Sequence, residues 1–168
     1  ARLEIGALRL AGRRWTGLRL DCPQARMSLE AIECRGGRLH SGGRALPVRL
    51  ELSLDVGGRS GELVLADDSG GRIVARLTPD GSLRAKLSGL SLQSLVRWLP
   101  ALADWQPAGR FDGEAEWRRR DGAERIRLRG RLTEAGFASA DGLRAGENLG
   151  LELVLDAHAR GGGWDWSG

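Results

Sequence analysis

Two histidines, two cysteines and one acidic turn are the residues of this 168-residue chain whose types suggest chemistry beyond packing. His40 and His158 lie far apart in the sequence, each beside a glycine-rich turn or on the polar side of an alternating segment, and both read as solvated surface groups. Cys22 and Cys34 lack the nearby Cys or His partners that zinc sites use. The run Asp67-Asp68-Ser69-Gly70 carries carboxylates but not the ligand spacing of a calcium loop, and reads as a turn. No nucleophile elbow, phosphate-binding loop, dinucleotide fingerprint or zinc-protease motif is present. With no acid, base or nucleophile constellation, the expectation is a non-enzymatic chain without metal or cofactor.

The elements that position these residues are strands. In "FDGEAEWRRRDGAERIRLRGRL" the turn Asp121-Gly122 suits a two-residue hairpin loop, which pairs Trp117 with Ile126, Ala115 with Leu128, Gly113 with Gly130 and Phe111 with Leu132. The same register sets Glu116, Glu114 and Asp112 across from Arg127, Arg129 and Arg131 on the other face. In "IVARLTPDGSLRAKL" a three-residue loop at Pro79-Asp80-Gly81 sets Leu77, Ala75 and Ile73 against Leu83, Ala85 and Leu87. Upstream, Val56 is expected beside Gly61, Leu54 beside Leu63 and Leu52 beside Leu65, with Leu65 meeting Ile73. Residues 47 to 88 thus predict a four-stranded antiparallel meander with its apolar side chains on one face.

At the C-terminal end, a loop from Arg160 to Gly163 predicts Trp164 opposite Ala159 and Trp166 opposite Ala157. Residues 1 to 40 read as three or four shorter strands, "LEIGALRL", "WTGLRLDC", "RMSLEAIEC" and "GGRLH", with bulges where alternation slips near Gly6 and Ala31. Leu92, Leu95, Val96 and Leu99 have helical spacing, which predicts one short helix near residues 91–103, capped by Ser91 or Ser94 and stopped at Pro100.

Composition bounds the reading. Apolar residues make up 41% and charged residues 29%, which excludes a disordered chain, and no apolar run is long enough for a membrane helix. The net charge of +4 is carried almost wholly by arginine, Lys86 being the sole lysine. The hairpin register places carboxylates opposite the arginines of "RIRLRGR", so a nucleic-acid stripe is not expected. Leucine outnumbers isoleucine and valine, 28 against 4 and 6, which is unusual for sheets and consistent with GC-rich coding.

The segment "GLSLQSLVRWLPALADWQPAGRFDGEAEW", with a leucine-rich lead into a short helix and then a glycine-spaced strand opening, resembles the AsmA-like family of bacterial envelope proteins, the TamB and YdbH group. "ADGLRAGENLGLELVLDA" reads as a further strand pair in the same idiom, and the likeness covers residues 45 to 168. The resemblance implies an all-β fold, an antiparallel meander of amphipathic strands forming a curved, groove-like sheet. Residues 1–168 would be a single β-rich domain, a fragment of a longer elongated protein. It also implies a periplasmic segment of a protein anchored in the inner membrane of a Gram-negative bacterium, with membrane contact through parts outside this fragment.

The implied partners are phospholipid acyl chains moving between the two membranes, with envelope proteins as further partners. The implied groove lining is Leu50, Leu52, Leu54, Leu63 and Leu65 in the meander and Leu151, Leu153 and Leu155 in the last long strand. An oxidising periplasm would permit a Cys22–Cys34 disulfide. Two registers compete there: a turn at Pro23 to Arg26 pairs Leu20 with Leu29 and separates the cysteines, and a turn near Ser28 brings them together. The alternative to the groove is a β-sandwich scaffold in an envelope assembly, in the style of protein N of type II secretion. A groove leaves its apolar face accessible, whereas a sandwich fills it.

Overall fold

The computed structural model describes residues 2–10, 13–41, 44–96, 104–120, 122–141, 143–160 and 163–167. Alternation of apolar and polar residues produces strands throughout: β1 (Arg2–Leu10), β2 (Arg13–Asp21), β3 (Gln24–Met27), β4 (Ala31–Ser41), β5 (Arg44–Asp55) and β6 (Ser60–Asp67) come first. β7 (Arg72–Leu77), β8 (Leu83–Ser91), helix α1 (Leu92–Val96), β9 (Ala108–Arg120), β10 (Ala123–Ala138), β11 (Ala145–Arg160) and β12 (Gly163–Ser167) follow. All twelve strands belong to one antiparallel sheet in sequence order, with β3 paired beside β4. β1 and β12 form the two edges, so the sheet is open; it is also curved. Each strand packs against its hydrogen-bonded neighbours and α1 against β8 and β9, and among the described residues no second sheet lies over the first. The Pro100 stop and Leu99 of the expected helix lie outside the described residues, as do Asp121 and the Gly161-Gly162 loop.

Turn chemistry sets the registers. The β9–β10 ladder pairs Trp117 with Ile126, Ala115 with Leu128, Gly113 with Gly130 and Phe111 with Leu132, as the Asp121-Gly122 loop predicts, and Gly122 takes φ 76°. Between β7 and β8, Thr78 and Ser82 close the three-residue loop and Gly81 takes φ 78°. There the Asp80 carboxylate accepts hydrogen bonds from the Thr78 and Ser82 hydroxyls, which hold its pKa down at about 2. Leu77, Ala75 and Ile73 then meet Leu83, Ala85 and Leu87. Ala157 faces Trp166 and Ala159 faces Trp164, and the ladder continues to Arg160–Gly163, so the last loop is two residues shorter than expected.

The β5–β6 hairpin corrects the sequence reading. Leu54 pairs with Gly61, Leu52 with Leu63 and Leu50 with Leu65, a slip of two positions from the expected register. The cause is Asp55, whose Oδ1 accepts the Gly58 N–H at 2.8 Å and so fixes the loop at residues 56–59, with Arg59 at φ 51°. A slip of two leaves every side chain on its expected face. Leu65 still meets Ile73.

The N-terminal region departs further. "RMSLEAIEC" is not one strand but a hairpin tip, with Ser28 and Ala31 closing the loop Leu29-Glu30. The Ser28 hydroxyl accepts the N–H groups of Glu30 and Ala31, doing the work usually left to glycine or proline. "GGRLH" continues β4, and the bulges lie between Cys34 and Gly37 and between Arg38 and His40 rather than at Ala31. At Gly6 the β1–β2 register runs on unshifted. "ADGLRAGENLGLELVLDA" likewise holds one long strand, β11, rather than a pair, with the turn before it at Ser139 to Arg144.

Candidate functional site

The apolar face is built one strand at a time by the registers. Successive pairings connect Cys34, Leu52, Leu63, Ala75, Ala85, Ala115, Leu128 and Leu155 into a single row that crosses β4 to β11. In its centre three successive strands contribute alanine. One flank of that alanine floor carries Leu77, Leu83 and Trp117, mutually in register. The other carries Ile73 and Leu87, followed by the Gly113–Gly130 pair. The pair is covered by the Phe111 ring, whose Cζ lies 2.3 Å from where a Gly130 Cβ would stand. An aromatic ring laid over paired glycines supplies the packing their missing side chains cannot. The result is a shallow trough running across the strands, floored by small residues and walled by large ones.

The expected lining residues all lie on this face, but in two separate groups. Leu50 is buried, and Leu52, Leu63 and Leu65 pack against a cluster of Leu20, Leu50 and the Cys22 and Cys34 side chains. Leu54 is half-buried at the end of the same strand. Leu153 and Leu155 are half-buried and Leu151 is 55% exposed. These lie on β11, five strand spacings from β6, or roughly 24 Å. The alanine floor and the Phe111 cover lie between the two groups and join them. Sequence reading placed those residues on the face without identifying them as its centre; the signal was the run of small residues at matching register positions in β7, β8 and β9.

Cys22 and Cys34 are joined by a disulfide, with the turn at Ser28 as the register found. β2 and β3 pair with β4 in the same register on both sides of Cys22-Pro23: Asp21 meets Arg38 and Gln24 meets Arg35. Pro23 has no N–H to give the ladder, and Gly36 opposite it takes φ 64°. The disulfide bridges this interruption, with Cα atoms 5.8 Å apart.

None of the polar candidates forms a reactive cluster. His40 is half-buried, with Nε2 3.0 Å from Asp21 Oδ2. Asp21 also meets Arg2 and Arg19, and these cations hold its carboxyl below the ordinary range against the opposing effect of burial. His158 is exposed beside Asp156. The Asp67 carboxylate caps its own turn, accepting the Ser69 and Gly71 N–H groups and the Ser69 hydroxyl. Among the described residues no group of three or more His, Cys, Asp or Glu is arranged to hold a metal ion, and no helix is long and apolar enough to cross a membrane.

The charged face keeps the expected register, with Glu116, Glu114 and Asp112 opposite Arg127, Arg129 and Arg131, but its ion pairs also reach beyond the hairpin. Glu116 pairs with Arg84 and Arg118, Arg127 with Asp156, and Arg131 with Glu152. β9 and β10 each have a second neighbour, so Glu116 of β9 reaches Arg84 of β8, while Arg127 and Arg131 of β10 reach Asp156 and Glu152 of β11. A concavity of about 810 Å³ opens on this face.

No family model, curated protein or solved structure matches the chain.

Proposed function

We propose that this chain is a periplasmic segment of an inner-membrane-anchored protein that lays phospholipid acyl chains along the apolar face of its sheet and supports lipid transport between the two bacterial membranes. One observation carries the reading: an apolar row unbroken from Leu52 to Leu155 belongs to a one-layer sheet that, among the described residues, has no second sheet over it. Among the described residues no large side chain is fully buried. Covering a leucine contributes roughly 1.5–3 kcal/mol, so such a face favours an apolar occupant. A fatty acyl chain fits a shallow trough of alanines walled by Leu83, Trp117, Leu87 and Phe111, because it is narrow, flexible and free of polar groups. The resemblance to AsmA-like envelope proteins supports the same reading.

Glutamate at Leu153 tests it. Leu153 is half-buried and faces Gly130 across the ladder, so its side chain keeps partial access to solvent. The expected result for Leu153→Glu is near-normal folded yield with capture of a photoreactive phospholipid reduced about tenfold, since an unpartnered charge beside an acyl chain is costly. A folded variant that captures lipid as the wild type does would sink the groove assignment. Loss of folding would point instead to a closed interior of the kind a sandwich scaffold has.

A further inference from the structure

The concavity on the charged face is the most built feature outside the apolar trough. Arg76, Arg84, Lys86, Arg127 and Arg129 line it, together with the carboxylates of Glu114 and Glu116. Three of these arginines are fixed in the same way, each donating Nε–H to a neighbouring strand's carboxylate: Arg76 to Glu62 at 2.6 Å, Arg84 to Glu116 at 3.0 Å and Arg127 to Asp156 at 3.0 Å. Their terminal guanidinium nitrogens take no protein acceptor among the described residues. Lys86 and Arg129 flank Glu114 in the ladder, and among the described residues neither forms an ion pair with it. Glu116 is neutralised by Arg84 and Arg118, so Glu114 is the lining carboxylate without a cation in contact.

We propose that this concavity is an anion site for phosphoryl groups, held by the terminal nitrogens of Arg76, Arg84 and Arg127 and by Lys86 and Arg129. Guanidinium groups already oriented by an Nε ion pair lose little freedom on meeting an anion, and paired N–H donors match phosphoryl oxygens. A cleft of this volume accommodates an anion with several phosphoryl groups. Among the described residues no aromatic side chain lines it, so these residues offer no stacking platform of the kind single-stranded nucleic acid uses. The site lies on the face opposite the leucines and does not depend on the lipid reading.

Calorimetric titration of the 168-residue chain with sodium tripolyphosphate tests the proposal. Saturable binding at one site per chain is expected, weakening with added salt. Lys86→Gln/Arg129→Gln removes two cations that support no ion pair, so its melting temperature should match the wild type while affinity falls about tenfold. Arg26→Gln/Arg35→Gln, an equal charge change on the β3–β4 hairpin, should alter affinity less than twofold.

Flotation with phosphatidylcholine vesicles containing phosphatidylglycerol separates the two sources of the phosphoryl group. Vesicle association lost in Lys86→Gln/Arg129→Gln marks a lipid headgroup. Tripolyphosphate binding without vesicle association marks a soluble anion. Absence of saturable binding to either probe, or an equal loss in both double variants, would overturn the site.

Discussion

Gly130→Val will unfold at markedly lower denaturant than the wild type, with a loss of about 3 kcal/mol, the upper end of what overpacking costs. A Cβ at position 130 would stand 2.3 Å from Phe111 Cζ and 2.7 Å from the backbone oxygen of Asp112. The ring can swing away, but only by uncovering Gly113, and the backbone oxygen cannot move without disturbing the β9–β10 ladder. For a chain of this size such a loss lowers the melting temperature by about 6–12 °C. Combining Phe111→Leu with Gly130→Ala should cost less than the two changes added together, because the smaller side chain vacates the space the new methyl needs. Equal midpoints for Gly130→Val and wild type would mean that the ring does not cover the glycine pair.

Removing the disulfide should have an effect of similar size but confined to one end of the sheet. Cys22 and Cys34 are 12 positions apart, and closing a loop of that length contributes about 3 kcal/mol. Because the described strands make their main contacts with their hydrogen-bonded neighbours, the loss in Cys22→Ala/Cys34→Ala should appear where the bond bridges the Pro23 interruption. Amide exchange should quicken across residues 18–41 while residues 111–132 keep their protection. Reduction of the wild type under unfolding conditions, followed by refolding in reductant, should reproduce the pattern. Protection unchanged in residues 18–41, or lost evenly along the chain, would contradict it.

How far the fold could be read in advance depended on which residue carries each turn. Where the loop holds glycine at positive φ, as at Gly81 and Gly122, the register was legible to the residue. Where a side chain performs the turn, it was not: Asp55 moved the β5–β6 register by two, and Ser28 formed a hairpin whose tip, Leu29, is 96% exposed and looks in sequence like part of a strand. Face assignment survived these slips because a shift of two preserves it.

The candidate site was legible as a set of leucines on one face and not as a shape. The alanine floor depends on pairings across β7, β8 and β9, beyond the reach of any single hairpin, and the Phe111 ring over Gly113 and Gly130 is a side-chain placement that the β9–β10 register alone does not fix. The same limit applied to charge. Within one hairpin Glu116 has only Arg127 opposite, while in the sheet it also borders Arg84.

The most direct measurement of the central claim maps where a lipid lies. The wild-type chain is incubated with a phospholipid bearing a photoreactive group midway along its acyl chain, irradiated, digested and sequenced by mass spectrometry. Acyl chains lying along the trough predict adducts on Leu83, Ala85, Leu87, Ala115 and Trp117, residues of adjacent strands that share the apolar face. Adducts confined to Arg76, Arg84, Glu114 and Glu116 on the opposite face, or no adducts at all, would contradict it.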